Sequence, residues 1–594
     1  MRNTKNIMNW AKRFAAAGIA AATLFLCACA NLNGTASPAS SSAGPSAAAT
    51  ASAEAVAQEG GELFIAMPQG AVDLDPLSAT DEDLINLLSL VYDTPVRLGA
   101  GSQPQAGLAE SWEVDETGTV YTFHFRQNLT FADGTTPFNA SDVVYSLQRV
   151  LAAGGTADPA APQPEGSTPP EGSGEPGESA SPSPDPEEST SPEESAGPSA
   201  AGSDGQVELP QTNRYTQYNS LLANYEQVDD YTLRLTMTKP GREALYLMTF
   251  PVVSATLYEA SETPVGTGPY RVDSYEPDAK MTLVRNEGWW GEKPYIEKIV
   301  ANAVSGSDQK IEKVDSSILD FITTDVLYAG KYKLAGKTQV VDYMTNYYDC
   351  LVPNLGTDVL DDINVRQAIS YAIDRREIIS TVLLNHAVPA NMPIAPDFYA
   401  YDSKYKQDDD LKTARDYLRA SGYKTDEEEE GNTLALTLIV PSERDASYRV
   451  EAAKAIRKQL ARVGIEITIE ELAPEEFLSR LDTRNYQLAF VSYYLDENPE
   501  LSFLFDSGGS GNYNGVSSQE LTDAIAACSN AFGEEEVKAA YSELQRLLME
   551  RVPQIGLYFR MNSIICDEAV TGITGARQNR VFEDVSKWFI DLKH

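Results

Sequence analysis

The segment from Leu434 to Asn498 constrains the fold more than any other part of the sequence, because its apolar periodicity switches repeatedly between strand and helix. Apolar runs with period two predict strands, and apolar residues three or four positions apart predict helices between them. Strands that alternate with helices form a parallel sheet with right-handed crossovers. We therefore predict an α/β fold with strands over Leu434–Val440, Ile465–Leu472 and Tyr486–Tyr494 and helices over Val450–Val463 and Glu475–Leu481.

A ligand site is expected at one end of this sheet. In open α/β sheets, ligands bind beyond the carboxyl ends of the parallel strands. Asp496 is the first charged residue after the third predicted strand. We interpret Asp496 as the best single candidate for contacting a ligand, and its position leaves open the alternative of a solvated loop acid.

The amino terminus predicts export. Four basic residues precede an apolar run that has the length of a signal sequence and is too short to span a membrane. The motif LCAC, which ends at Cys29, resembles the bacterial lipobox, and this implies cleavage before Cys29 and lipidation of its thiol. We predict a signal peptide over residues 1–28 and, from its small and polar composition, a flexible tether over 29–59. A plain secretory signal is the alternative.

Charge and composition exclude several classes of function. The formal net charge is −41, which argues against nucleic acid or an anionic bilayer as a partner because both would repel the chain. Beyond the leader, Cys350, Cys528 and Cys566 form no CxxC pair, and only three histidines occur. We therefore predict no metal site, no cofactor and at most one disulfide. The sequence has no GxSxG or HExxH motif and no paired acids in strand context, so we predict no enzymatic activity.

Three motifs towards the amino terminus carry a resemblance to a known family. They are LAESW at Leu108–Trp112, a strand at Thr122–Arg126 and FADGTTPFNASDVVYSLQR at Phe131–Arg149. Their order and spacing resemble the solute-binding proteins of ABC importers in the oligopeptide, dipeptide and nickel family, which is family 5 of the bacterial extracellular solute-binding proteins. The resemblance covers about Gly60 to Asp584. Residues 157–205 interrupt it with an acidic, Pro- and Ser-rich run that we interpret as a disordered surface insertion.

The resemblance implies a fold. Members have a two-lobed periplasmic-binding-protein type II fold with an extra subdomain and a ligand cleft between the lobes. A chain of 594 residues is too long for one core, which agrees with several domains. The expected bounds are 60–271 with 556–594 for lobe I, about 86–225 for the subdomain within it, and 272–555 for lobe II.

The resemblance also implies site residues. In peptide-binding members an aspartate in this region holds the α-amino group of the peptide, and Asp496 occupies that position. Tyr493 stands where the family has tryptophan, and Glu497 follows the acid, so the sequence departs from the pattern. The extra carboxylate would favour a more cationic ligand or would be a surface residue. The predicted ligand-binding residues are Asp496, Tyr493, Tyr494 and Asn498, with Arg444 as the candidate for the peptide carboxylate.

A glycine-rich run at Pro264–Pro277 looks like the family's crossover between lobes. Glycine adopts strained backbone angles freely, so we predict a hinge at Gly266 and Gly268. A simple tight turn is the alternative.

The resemblance implies a function in solute uptake. We expect a monomeric, lipid-anchored receptor outside the cytoplasm that captures peptides in a closing cleft and delivers them to the permease subunits of an ABC importer. Two alternatives remain open: the same fold binding another solute, such as a nickel chelate, a sugar or haem, and a receptor that senses peptides.

Overall fold

The computed structural model describes residues 57–70, 73–154, 215, 218–334, 336–426, 429–442 and 448–591. The predicted signal peptide, most of the predicted tether and the predicted insertion at 157–205 lie outside the described residues, as do Cys29 and Arg444. Among the described residues, no helix has the length and apolar character needed to cross a membrane.

Nineteen strands are present in the part of the chain that the structure describes. In chain order they are β1 (Glu62–Pro68), β2 (Val96–Leu98), β3 (Pro104–Ala106), β4 (Ala109–Val114), β5 (Val120–Phe125), β6 (Leu222–Asp229), β7 (Thr232–Met237), β8 (Tyr270–Glu276), β9 (Lys280–Arg285), β10 (Lys298–Val304), β11 (Phe321–Thr324), β12 (Thr338–Pro353), β13 (Ala387–Pro389), β14 (Leu434–Pro441), β15 (Ile465–Leu472), β16 (Leu488–Tyr494), β17 (Ile555–Asp567), β18 (Val570–Thr571) and β19 (Phe589–Ile590).

Fourteen α-helices lie between these strands in the same described ranges, together with short 3₁₀ turns. The helices are α1 (Glu82–Ser89), α2 (Ala140–Ala153), α3 (Tyr218–Leu221), α4 (Glu243–Leu247), α5 (Gly306–Asp315), α6 (Asp358–Asp361), α7 (Ile363–Ala372), α8 (Arg375–Thr381), α9 (Leu411–Ala420), α10 (Tyr448–Ala461), α11 (Pro474–Asp482), α12 (Ser502–Phe505), α13 (Gln519–Ser529) and α14 (Glu534–Arg551). The 3₁₀ turns are Ala100–Ser102, Ala329–Tyr332, Ser403–Tyr405 and Val585–Lys587.

One large sheet of eleven strands organises the molecule. Its order is β15-β14-β16-β12-β17-β11-β1-β10-β9-β8, and β13 pairs with β17 outside this order. Strand β14 runs parallel to both β15 and β16, and α10 and α11 connect the three strands. This is the strand–helix arrangement that the periodicity of the central segment predicts, and it confirms the α/β class.

Buried apolar side chains fall into groups on either side of β12 and β17. Residues between Leu63 and Tyr343, together with those between Ile564 and Trp588, form one set. Residues between Tyr348 and Phe559 form the other set. We call these parts the first lobe (57–343 and 564–591) and the second lobe (348–559). Residue 272, the predicted boundary between lobes, lies in β8 and packs with the first lobe.

The long strands β12 and β17 pass through both lobes. They are antiparallel partners, and their register shifts between Met344 and Tyr348 and again between Asp349 and Cys350. A register shift of this kind leaves residues unpaired and bends the strand locally. Within the described ranges, the backbone crosses between the lobes on these two strands.

A second sheet builds the outer part of the first lobe. Its four strands are in the order β4-β5-β7-β6, within and just beyond the predicted subdomain. Helix α2 covers this sheet, and its N-cap is Asn139, whose side chain accepts a hydrogen bond from the Ser141 amide. The Asp142 carboxylate in turn accepts a hydrogen bond from the Asn139 amide, so the helix start is a capping box.

Candidate functional site

The last residues of β16 point to alternate faces of the main sheet. Tyr493 packs into the second lobe and is 1% exposed. Its hydroxyl donates to the Gly511 carbonyl over 3.0 Å, and its ring stacks on Tyr513. The structure therefore places Tyr493, which was predicted to bind ligand, in the core, and it leaves Tyr494 on the opposite face.

Tyr494 lies where the two lobes meet. Its hydroxyl accepts hydrogen bonds from the side-chain amides of Asn346 and of Asn579, each over 3.3 Å. Its ring packs edge-on against Tyr347, with 5.3 Å between ring centres. Burial raises the pKa of Tyr494, and the negative charge of Asp496 adds to the rise. Tyr494 therefore presents an aromatic surface and a neutral hydroxyl.

Asp496 follows at the carboxyl end of β16. It is exposed, and it is close enough for its charge to act on the Tyr494 hydroxyl. The acid thus lies at the end of the strand where a ligand contact was expected, and the contact itself stays a prediction.

Glu497 is held by charged groups of the first lobe. Its carboxylate lies 3.2 Å from the Arg580 guanidinium and 3.8 Å from that of Arg577, and it accepts a hydrogen bond from the Ser102 hydroxyl. Burial opposes ionisation, but the two arginines hold the pKa of Glu497 below its usual value. The extra carboxylate is therefore neither an open cation site nor a free surface acid, because two guanidinium groups already neutralise it.

Asn498 is also engaged by the first lobe. Its side-chain oxygen accepts a hydrogen bond from Arg242 over 3.0 Å. Arg242 is 3% exposed, and it donates further hydrogen bonds to the hydroxyls of Tyr541, over 2.8 Å, and of Tyr399. The structure thus ties Asn498 to a buried arginine, while its predicted ligand contact stays a prediction.

A second set of polar residues lies on the same sheet face as Tyr494. Asp349 of β12 is directly opposite Ser492 of β16 and Tyr558 of β17. Asp349 is fully buried, and neither of its carboxylate oxygens accepts a hydrogen bond from the described residues. A buried carboxylate without hydrogen bonds is costly unless opposite charge is near.

Arg560 supplies opposite charge beside Asp349, and a second arginine lies near Arg560. The Nε of Arg560 lies 3.9 Å from Asp349, one of its terminal nitrogens donates to the Ser492 hydroxyl over 3.2 Å, and its guanidinium lies 4.0 Å over the Tyr347 ring. Arg449, at the start of α10, is 1% exposed and donates to the Tyr448 hydroxyl over 3.1 Å. Arg560 and Arg449 therefore bring two guanidinium groups to this end of the site.

Sequence reasoning did not single out these residues, although a signal exists. Asp349 stands in the apolar run YYDCLVP, Ser492 in AFVSYY and Arg560 in LYFRM. A charged or hydroxyl-bearing residue in the middle of a buried strand needs a partner. That need marks such residues as candidates for a shared polar cluster, but it does not say which strands lie side by side.

Glu82, in the first turn of α1, is a further titratable group near the Tyr494 hydroxyl. Its carboxylate accepts a hydrogen bond from the Tyr343 hydroxyl over 3.2 Å. Burial raises the pKa of Glu82 to about 7, and the negative charge of Asp83 adds to the rise, while Tyr343 and Lys310 oppose it. The next acid, Asp83, is paired with Lys310 and accepts from Thr323.

Stability is expected to depend on pH through Glu82. Because the pKa of Glu82 is raised in the folded state, the unfolded chain loses this proton at a lower pH than the folded protein does. The free energy of unfolding therefore falls as the pH rises from about 5 through 7. At pH 8, Glu82→Gln should therefore have an unfolding free energy higher than that of the wild type by on the order of 2 kcal/mol, and so a higher melting temperature. At pH 4.5 the two proteins should have nearly the same stability. Melting curves at both pH values test this, with Glu110→Gln as the control. An equal effect at both pH values would contradict it.

The predicted hinge glycines lie in the first lobe against Val91. The Gly268 amide donates to the Val91 carbonyl over 2.8 Å. A Cβ on Gly266 would lie 2.1 Å from the Val91 carbonyl oxygen, and a Cβ on Gly268 would lie 2.6 Å from the carbonyl carbon. Neither glycine has a positive φ. The positions need glycine for close backbone approach, and the hinge role stays a prediction.

The cysteines beyond the leader were predicted to form at most one disulfide. Cys350, Cys528 and Cys566 are buried free thiols. In the part of the chain that the structure describes, no three His, Cys, Asp or Glu residues are grouped so that they could hold a metal ion.

Comparison with known proteins identifies a family. The model of the bacterial extracellular solute-binding proteins, family 5, matches residues 103–515. The dipeptide-binding protein DppE of Bacillus subtilis is 22% identical over 503 residues, which cover 82% of this chain and 84% of that protein. The heme-binding protein A of Haemophilus influenzae is 26% identical over 359 residues, and this match spans 56% of each chain.

Solved structures share the fold. HbpA2 from Haemophilus parasuis superimposes with a TM-score of 0.70 at 20% identity, covering 88% of this chain and 99% of that one. The unliganded open form of the periplasmic murein tripeptide-binding protein MppA gives 0.69 at 18% identity, covering 90% and 98%. These similarities establish the two-lobed periplasmic-binding-protein fold.

Proposed function

The chain belongs to family 5 of the bacterial extracellular solute-binding proteins, and from that premise we propose that it is a receptor for short peptides, which it captures in the cleft between its lobes. The family consists of substrate-binding proteins, and relatives are named for binding dipeptides, oligopeptides and haem. A choice among such solutes has to come from the chemistry of this chain's own cleft.

The observation that carries the proposal is the placement of an acid and an arginine beside one pair of facing tyrosines. Tyr494 and Tyr347 are directly opposite each other in neighbouring strands. Asp496 follows Tyr494 at one end, and the Arg560 guanidinium covers Tyr347 at the other. A zwitterion with an ammonium group at one end, a carboxylate at the other and an uncharged backbone between them fits this order of groups.

The amino end of the peptide is assigned to Asp496. An ammonium group that loses water on closure needs an opposite charge close by, because its desolvation is otherwise too costly. Glu497 does not compete for that cation, since Arg577 and Arg580 already neutralise it.

The carboxylate end is assigned to Arg560, supported by Arg449. A guanidinium group binds a carboxylate through two parallel hydrogen bonds. Both arginines lie around the Tyr448 ring, at 5.7 and 5.6 Å from its centre, so a carboxylate placed there would meet two positive charges. Arg444, which lies outside the described residues, stays a prediction for the same role.

The proposal includes the cellular setting. The family is extracellular, and the signal motif before Cys29 supports lipid attachment at that residue. Delivery to the permease of an ABC importer would follow closure of the lobes on the solute, with ligand shifting an existing open–closed balance by its differential affinity.

The experiment that tests the function uses the exported protein purified without its lipid. Native mass spectrometry should reveal bound peptide. Calorimetric titration with one dipeptide in four forms (free, N-acetylated, C-amidated and doubly capped) should give the tightest binding for the free form. Absence of any peptide affinity, with a co-purified nickel chelate, sugar or haem in the spectra, would replace the peptide by that solute.

A further inference from the structure

We propose that Glu497 and Asn498 form a latch that holds the lobes together. The inference rests on the proposed function, because it concerns how the same cleft holds its ligand. Asp496, Glu497 and Asn498 are consecutive. The latch therefore lies directly beside the acid assigned to the ligand, but its own contacts are with the first lobe.

The charged part of the latch is a carboxylate between two guanidinium groups. Glu497 is 18% exposed and Arg577 is 11% exposed, so both are largely shielded from solvent. Arg577 also pairs with Asp397, and Arg580 pairs with Glu583 at 3.5 Å. The arginines belong to the first lobe, whereas Glu497 and Asp397 belong to the second. Opening the lobes would break both cross-lobe pairs.

Arg242 forms the second part of the latch. It belongs to the first lobe, between the buried residues Met237 and Ala244. All three side chains to which it donates hydrogen bonds, Asn498, Tyr541 and Tyr399, belong to the second lobe. If the lobes opened, this buried arginine would lose its three acceptors. Its charge would then be costly unless water reached it, so a small opening is opposed.

The backbone completes the closure. The Tyr399 amide of the second lobe donates to the Gly101 carbonyl of the first lobe over 3.1 Å. Gly101 has φ 65, and a Cβ there would lie 2.6 Å from the Asp397 carbonyl oxygen and 2.7 Å from the Tyr399 nitrogen. The turn that carries Gly101 also carries Ser102, whose hydroxyl donates to Glu497. Only glycine allows this turn to fit against the second lobe.

The latch is distinct from Asp496 and Arg560, to which the two ends of the peptide are assigned, and this decides how its loss affects binding. Its members contact each other across the lobes rather than the sheet face of Tyr494 and Arg560. The apparent affinity for any ligand equals the affinity of the closed form multiplied by the fraction of molecules that are closed. Weakening the latch should therefore reduce all affinities by one common factor, whereas removing a ligand contact should reduce only those that use it.

The test compares Glu497→Gln and Gly101→Ala with the wild type, and Glu475→Gln at an exposed position of α11 serves as the matched control. Calorimetry should show that both latch variants lose about tenfold or more in affinity for free and for N-acetylated dipeptide alike, so that the ratio of the two affinities is unchanged. Small-angle scattering of the unliganded protein should show a larger radius of gyration for both variants. The control should match the wild type in both measurements.

The outcomes separate the latch from other roles. Loss confined to peptides with a free amino group would make Glu497 a ligand contact and overturn the inference, as would unchanged affinity together with an unchanged radius. Gly101→Ala leaves every charge in place, so the same loss in that variant supports closure rather than electrostatics. If no peptide binds at all, the proposed function fails, yet the scattering of unliganded variants still decides whether the latch exists.

Discussion

Replacing Asp496 with alanine is expected to weaken the binding of peptides with a free amino terminus by about 2 to 5 kcal/mol, while N-acetylated peptides lose little. The variant removes the carboxylate that follows β16 and leaves the strand itself intact. Closure of the cleft would then bury an ammonium group without its counter-charge. The size of the effect follows from that uncompensated desolvation.

Calorimetric titration of the same dipeptide with free and acetylated amino termini measures the effect. Glu475→Gln removes one negative charge from the same lobe at an exposed position of α11, and it controls for the general charge of the protein. Equal losses for the two peptides in Asp496→Ala would remove Asp496 from the ammonium site. Because Asp496 is exposed in the structure, the substitution should leave the melting temperature nearly unchanged.

Replacing Arg560 with methionine is expected to produce the complementary loss, again about 2 to 5 kcal/mol, for peptides with a free carboxylate. Methionine keeps an apolar side chain against the Tyr347 ring and removes the charge. C-amidated peptides should bind the variant about as well as they bind the wild type. The two substitutions together should therefore distinguish the ends of a bound peptide.

Arg560 also lies near the buried Asp349 carboxylate, 3.9 Å away, so its loss leaves that charge less compensated and should lower the melting temperature as well. Arg560→Lys separates the two effects. It restores a positive charge beside Asp349 but lacks the planar fork that binds a carboxylate through two bonds. We expect Arg560→Lys to recover stability and to recover only part of the affinity. Full recovery of affinity would mean that charge alone, without bidentate geometry, holds the peptide.

The sequence predicted those features that depend on neighbours along the chain. Strand β14, helix α10 and strand β15 appear where the apolar periodicity places them. The reason is that the buried side chains of a strand recur every two residues and those of a helix every three or four. The position of Asp496 after β16 follows from the same reasoning, since it needs only the end of a strand. The resemblance to family 5 extended this to the whole fold.

Other features depend on which elements lie side by side, and the sequence does not contain that information in local form. Tyr493 and Tyr494 are equivalent by periodicity, because both faces of a central strand are buried, and only the packing of the second lobe turns Tyr493 inward. Gly266 and Gly268 look like a hinge because glycine permits unusual backbone angles, yet the structure shows close packing on Val91.

The sequence by itself thus determined the α/β class, the parallel unit around residues 434–498 and the acid at its carboxyl end. Only the tertiary structure decided that Glu497 is neutralised by Arg577 and Arg580, which follow it by about eighty residues, and that Asp349 and Arg560 share one sheet face. The physical reason is that helix and strand periodicity arises from local backbone geometry, whereas the pairing of charges is settled by contacts between distant segments that form only when the lobes pack.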